Sequence, residues 1–152
     1  MKPIDIAIII ILSCIIIDQV TKLIAQRKLK NKRSVHIIKN FYYFSYVENS
    51  GMAMGKYDGK YFLFYAVTIF SLTIYSLFAD QIDFMHNTWF SIGLSILIGG
   101  TFSNFIDRVI RGYVIDFITG TIFKKNLPVY NLADFFIFIG SLLAIIFAFV
   151  EF

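Results

Sequence analysis

Residues 4–24 read IDIAIIIILSCIIIDQVTKLI, an apolar run whose last turns carry Asp18, Gln19, Thr21 and Lys22. An α-helix needs about 20 predominantly apolar residues to cross the hydrocarbon core of a bilayer. The stretch therefore predicts a membrane-crossing helix with a carboxylate and an ammonium near one end. Charged groups at that depth are costly and point to a buried partner or a function. Three further segments, at about 61–79, 89–106 and 132–150, are also long and apolar enough to span. Together they predict a membrane all-α bundle of four transmembrane helices in a single polytopic domain, residues 1–152.

Composition agrees. The 152 residues are 58% hydrophobic and 18% aromatic, with a mean hydropathy of +0.72. That is too apolar for a soluble domain of this size. The single cysteine, Cys14, excludes an intramolecular disulfide and a cysteine metal cluster, and His36 and His86 lie far apart. No metal and no cofactor is expected. Lys2 and the run Ile6–Ile17 look like a signal peptide, but Asp18–Lys22 follows with no small-residue cleavage site.

An even number of spans puts both termini on one side, so the loops 26–60 and 107–131 share the other. Every polar cluster then falls on that side: Asp18 to Lys22, Asn49-Ser50-Gly51, Asn104 to Arg108, Asp116, and Asn131 to Asp134. The first loop opens with Arg27, Lys28, Lys30, Lys32 and Arg33, a basic turn suited to anionic headgroups. It is too short and too close to the membrane to suggest nucleic acid. From Val35 to Val47 the residues are β-branched and aromatic. That composition predicts a small sheet over about 33–55, with Asn49-Ser50-Gly51 as its turn, able to hold an extended peptide.

Each polar cluster also has a plain structural reading. Asp18 and Lys22, four apart, make an interfacial ion pair that ends a helix. Ser91, Ser95, Gly99 and Ser103, also four apart, let helix backbones approach closely in lipid. Asn104, Asp107 and Arg108 share one helical face. Asn131 caps the fourth span with Asp134 at its third position, as in a capping box. Asp116 has no such reading, because it sits in the apolar stretch Tyr113–Ile118. Asp116 and Asp134 are placed to meet as a pair. Two carboxyls sharing one proton supply both a base to activate water and an acid to protonate a leaving nitrogen, because like charges split their pKa values. This is the chemistry of an aspartyl protease.

The ordered set Asp18-Gln19-x-Thr21-Lys22, Asn49-x-Gly51, Gly99-Gly100-x-x-x-Asn104-x-x-Asp107-Arg108, Val114-x-Asp116-Phe117 and Asn131-x-Ala133-Asp134 closely resembles bacterial lipoprotein signal peptidase, or signal peptidase II. The resemblance covers nearly the whole chain. It implies four transmembrane helices with a small extracytoplasmic β-cradle. It also implies an aspartyl endopeptidase that removes the signal peptide from diacylglyceryl-modified prolipoproteins, cutting before the lipidated cysteine. By position Asp116 and Asp134 are the catalytic dyad. Asp18, Lys22, Asn49, Gly51, Asn104, Arg108 and Asn131 match positions that bind substrate or support the site, and Asp107 matches a further motif position. Expected partners are the prolipoprotein and membrane lipid, with the protein itself a monomer. Two departures stand out: Ser103 where the family usually has Gly, and Met52-Ala53-Met54 where small residues and an aromatic are common. A small proton- or ion-handling transporter is the competing reading. Its acids would form a relay across the membrane, whereas these cluster at one face. A non-catalytic assembly factor that docks partners through the sheet is a third.

The resemblance places the chain in the bacterial inner membrane as a multi-pass protein, with termini in the cytoplasm and the site at the outer face. The positive-inside rule opposes this, since all of the 14 Lys and Arg residues except Lys2 lie on the side of the motif-bearing loops. A cysteine introduced into the loop 80–88 of a Cys14→Ala variant tests the orientation. It should resist an impermeant thiol reagent in intact cells, and labelling would place that loop outside.

Overall fold

A computed structural model describes residues 3–32, 34–38, 41–50, 82–122 and 125–150, with residues 68–69, 72–73 and 76–77. Among the described residues are the helices α1 (Pro3–Leu29), α2 (Thr88–Arg111) and α3 (Leu132–Ala148). The strands are β1 (Val35–Ile38), β2 (Tyr42–Asn49), β3 (Val114–Ile122) and β4 (Lys125–Asn126). They form one antiparallel sheet in the order β1-β2-β3-β4. At 27 and 24 residues, α1 and α2 are long and apolar enough to cross a membrane, and α3 is a shorter apolar helix of 17 residues. Most of the expected span 61–79 lies outside the described residues, and its six described positions are helical.

Helix directions follow from who meets whom. Ala7 of α1 shares a buried cluster with Phe90 and Leu94 of α2. Further along, Cys14 faces Gly99, and Asp18 meets Ser103. The two helices therefore run parallel. Against α2, helix α3 descends: Ala133 lies at Gly100, and Gly140 lies against Gly93 and Leu97. The C-terminal ends of α1 and α2 and the N-terminal end of α3 thus share one end of the bundle. The sheet closes that end, with Ile115, Phe117 and Ile118 of β3 packed on Ala25 of α1.

Small residues set the helix spacing. A Cβ on Gly99 would stand 2.6 Å from Cys14 Cβ, and one on Gly140 would run into the backbone nitrogen of Leu97. Close approach through small residues is how helices pack without a hydrophobic driving force. The expected serine and glycine stripe does meet α1 at Gly99 and Ser103, while Gly93 and Gly100 face α3.

Burial is inverted relative to a water-soluble protein. On α1, Ile4, Ile8, Leu12, Ile16 and Val20 are exposed, as are Phe138, Leu142 and Ile145 on α3. Meanwhile Asp18, Lys22, Ser103, Asn104, Asp107, Asp116 and Asn131 are buried.

The sheet is larger than its sequence signal. Strands β1 and β2 fall within the expected 33–55 segment, but β3 and β4 come from residues 114–126 and carry Asp116 into the sheet. Asn49 is the last residue of β2, paired with Val114, rather than part of a turn. Gly51, Met52 and Met54 lie outside the described residues. The switch from α2 into β3 is made at Gly112, whose φ of 77° is left-handed and whose N–H donates to Arg108 O at 3.1 Å. A glycine takes this conformation without the steric cost a side chain would incur.

Candidate active site

Asp116 and Asp134 arrive from different elements and are tied to the same asparagine. Asp116 lies in the middle of the sheet, opposite Val47 of β2. Asp134 lies in the first turn of α3. Between them, Tyr130 bridges to Ile118 of β3 through paired backbone hydrogen bonds of 2.8 Å, which brings the next residue, Asn131, to the strand. Asn131 is the N-cap of α3. Its side chain accepts from Asp134 N at 3.0 Å, and Asp134 Oδ2 accepts from Asn131 N at 3.0 Å. The capping box read from the sequence is therefore real. It also serves the pair, because Asn131 Nδ2 donates to Asp116 Oδ1 at 2.6 Å.

Two more asparagines complete the carboxyl environment. Asn49, at the end of β2, donates to Asp116 Oδ2 at 2.8 Å. Asn104 of α2 donates to Asp134 Oδ1 at 3.0 Å, and its own Oδ1 accepts from Lys22 Nζ at 2.8 Å and from Asn131 Nδ2 at 3.3 Å. Each carboxylate offers about four lone-pair positions, so two amide donors apiece leave acceptor capacity for a water or a substrate. Burial pushes the Asp116 carboxyl up to about 6, with the Asp134 charge adding to the rise, while the Asn49 and Asn131 amides and the Lys22 ammonium pull it down.

Behind the asparagines is a cluster of charges. Lys22 Nζ sits 2.6 Å from Asp18 Oδ2 and 2.9 Å from Asp107 Oδ2, and all three side chains are fully buried. Arg111 pairs with Asp107 from one turn further along α2. Gln19 Nε2 donates to Asp107 Oδ1 at 2.9 Å, and Ser103 Oγ donates to Asp18 Oδ2 at 2.6 Å. Arg108 is half-buried and donates to Asn104 O at 2.9 Å.

Most of the predicted site residues therefore meet. Asp18, Lys22, Asn49, Asn104, Asn131, Asp116 and Asp134 form one hydrogen-bonded network with Asp107. Gly51 is outside the described residues. Gln19, Ser103 and Arg111 were not singled out as site residues. For Arg111 a signal existed, since it stands four residues after Asp107, ion-pair spacing on a helix. The basic turn contributes little here: Lys30 pairs with Glu48 at 2.8 Å, while Arg27, Lys28 and Lys32 are exposed.

A family model described as signal peptidase (SPase) II matches residues 10–150. The chain belongs to the signal peptidase II family. A lipoprotein signal peptidase of Staphylococcus haemolyticus (strain JCSC1435) is 36% identical over 143 residues, 94% of this chain and 90% of that protein. One from Clostridium novyi (strain NT) is also 36% identical, covering 92% of this chain and 95% of that protein. A bacterial membrane enzyme solved by the in meso method at 1.9 Å superposes with a TM-score of 0.80 at 36% identity, covering 94% of this chain and 92% of that one. A second, solved at 2.3 Å, gives 0.78 at 35% identity over 94% and 87%. The chain is thus a membrane protein and an enzyme of this peptidase family, and the transporter reading has no support.

Within this peptidase the asparagine donors should tune the pair. An amide N–H stabilises the ionised carboxylate, so removing it raises the pKa. In Asn49→Ala the protonated-carboxyl C=O stretch of Asp116, read by infrared titration with labelled aspartate, should persist above the wild-type midpoint of about 6. A midpoint that stays put or falls would show that Asn49 does not donate to this carboxyl.

Proposed function

We propose that Asp116 and Asp134 are the catalytic dyad with which this signal peptidase removes signal peptides from prolipoproteins, cutting before a diacylglyceryl-modified cysteine. The observation that carries the reading is the convergence of two carboxyls from separate elements on Asn131, with each held by neutral amide donors. Burial favours the protonated form of Asp116, while the Asn49 and Asn131 amides favour its ionised form. Lys22 Nζ is linked to Asp134 through Asn104.

Peptide hydrolysis then runs as an acid–base exchange. The ionised member takes a proton from water as its oxygen attacks the carbonyl carbon before the cysteine. The protonated member gives its proton to the departing nitrogen, and the pair ends with one proton again. The amides of Asn49, Asn104 and Asn131 hold the carboxyl oxygens in place, which is the ordering on which such positioning depends. Arg108 and Gly51 match motif positions that bind substrate or support the site.

A half-open cavity of about 260 Å³ lies against Asp134, lined by Tyr130, Phe135 and Phe138. Its aromatic wall, with Phe138 67% exposed, faces the surroundings of the helices. Such a wall suits an apolar signal helix or acyl chain that enters sideways from lipid. Parallel α1 and α2 support the multi-pass topology. If both cross the bilayer, the chain between them must cross back once, as a span at 61–79 would. Termini in the cytoplasm and a site at the outer face of the inner membrane complete the reading.

Asp116→Asn and Asp134→Asn should each fold, since the carboxamide keeps the size of the carboxyl and one of its two acceptor oxygens. Each should cut a diacylglyceryl-modified prolipoprotein at least about a hundredfold more slowly than wild type, the scale of lost acid–base catalysis. A gel-shift assay on purified protein reads this. Near-normal cleavage by either variant would refute the dyad.

A further inference from the structure

Two carboxylates outside the dyad contact the backbone beside it. Asp107 Oδ2 accepts from the N–H of Ile115, the residue before Asp116, at 3.3 Å. Asp18 Oδ1 accepts from the N–H of Ala133, the residue before Asp134, at 2.8 Å. The other oxygen of Asp18 and the same Oδ2 of Asp107 bind one ammonium, Lys22 Nζ, at 2.6 and 2.9 Å. The arrangement is a pair of matched clasps on a common post. The dyad stands on two elements, β3 and α3, which Asn131 also joins by donating to Asp116 Oδ1 from the N-cap of α3. Their separation is therefore set by what holds β3 and α3 relative to each other.

We propose that Asp107 and Asp18 are positioning residues, each clasping the backbone amide that precedes one dyad aspartate, with Lys22 fixing the distance between the two clasps.

The geometry explains the rest of the cluster. Arg111 and Gln19 bind the Oδ1 of Asp107, which leaves its Oδ2 aimed at Ile115 and Lys22. Gln19 Oε1 in turn accepts from Arg111 at 3.0 Å. Ser103 Oγ donates to Asp18 and accepts from Gln19 Nε2 at 3.0 Å, so its hydroxyl joins the two clasps. For Asp18 the Ala133 amide is one of the unpaired N–H groups at the start of α3, and a carboxylate is the natural partner for it. For Asp107 the contact crosses the Gly112 turn, so the end of α2 fixes the start of β3. A cluster present only to fill space would have no reason to place one oxygen on each of these two amides.

The proposal rests on the dyad reading, and its test separates the two. Turnover of a diacylglyceryl-modified prolipoprotein by enzyme in liposomes is measured for wild type, Asp116→Asn, Asp107→Leu, Asp107→Asn and Asp107→Asn with Arg111→Gln. Thermal melting gives the folded fraction of each. Asp107→Leu removes the acceptor for Ile115. Its kcat per folded molecule should fall about a hundredfold, the effect of roughly 1 Å of misplacement, with KM unchanged. In Asp107→Asn a carboxamide oxygen can still serve Ile115 and Lys22, but its NH2 meets the Arg111 guanidinium. Adding Arg111→Gln removes that conflict and should restore much of kcat. Wild-type kcat per folded Asp107→Leu overturns the clasp, as does an Asp107→Asn whose lowered kcat does not recover on adding Arg111→Gln. Should no variant at 107 fold, Asp18→Leu decides, because it removes the acceptor for the Ala133 amide: a fall in kcat per folded molecule at constant KM supports the clasps and unchanged kcat overturns them. Activity in Asp116→Asn would instead refute the dyad itself. An inactive Asp116→Asn beside a fully active Asp107→Leu would refute the clasp alone.

Discussion

The ammonium of Lys22, buried among Asp18, Asp107 and Asn104, is the interaction on which the rest of the site depends. It joins α1 to α2, and through Asp18 and Asn104 it reaches α3. A buried ion pair often gains little over an apolar replacement, because desolvation offsets attraction. Removing one partner is another matter, since it strands a charge in a medium that cannot solvate it. Here one ammonium faces two carboxylates, and Arg111 offsets the second. The four charges sum to zero, and among the described residues every buried side-chain nitrogen and oxygen has a hydrogen-bond partner. Such completeness is what lets a polar network survive away from water.

That network also accounts for the inverted burial. In a bilayer the outer surface must be apolar and the backbone must satisfy itself. Isoleucines of α1 and phenylalanines and isoleucines of α3 are turned outward, and polar side chains are gathered at one end of the bundle under the sheet. Close packing through Gly93, Gly99 and Gly140 holds the helices near enough for short side chains to meet. Asp116 is then desolvated but supplied with amide donors, which keeps its carboxyl near the middle of the range instead of fixed in one state.

Much of this was legible in the residues. Helices α1, α2 and α3 showed as apolar runs, and the even number of spans expected from the sequence placed the polar clusters on one side, as they are at one end of the bundle. The pairing of Asp18 with Lys22 and the Asn131 capping box were visible as spacings. Strand β3 was not, because residues 114–119 are all buried. A strand buried on both faces loses the alternation that marks one, and a short apolar run is ambiguous between helix and strand. Asn49 was misplaced as a turn residue because Asn-Ser-Gly chemistry favours turns, whereas pairing with Val114 extends β2 through it. The role of Asp107 depends on a tertiary contact with the Ile115 amide, which no local spacing encodes.

Lys22→Met tests the account most directly, since it removes the charge and keeps most of the volume. Purified wild type and variant would be compared by thermal melting in detergent and by prolipoprotein cleavage. Stranding two buried carboxylates should cost about 3–5 kcal/mol of stability and abolish cleavage. A variant that melts with wild type and cleaves at the same rate would show that the buried ammonium does not hold the site together.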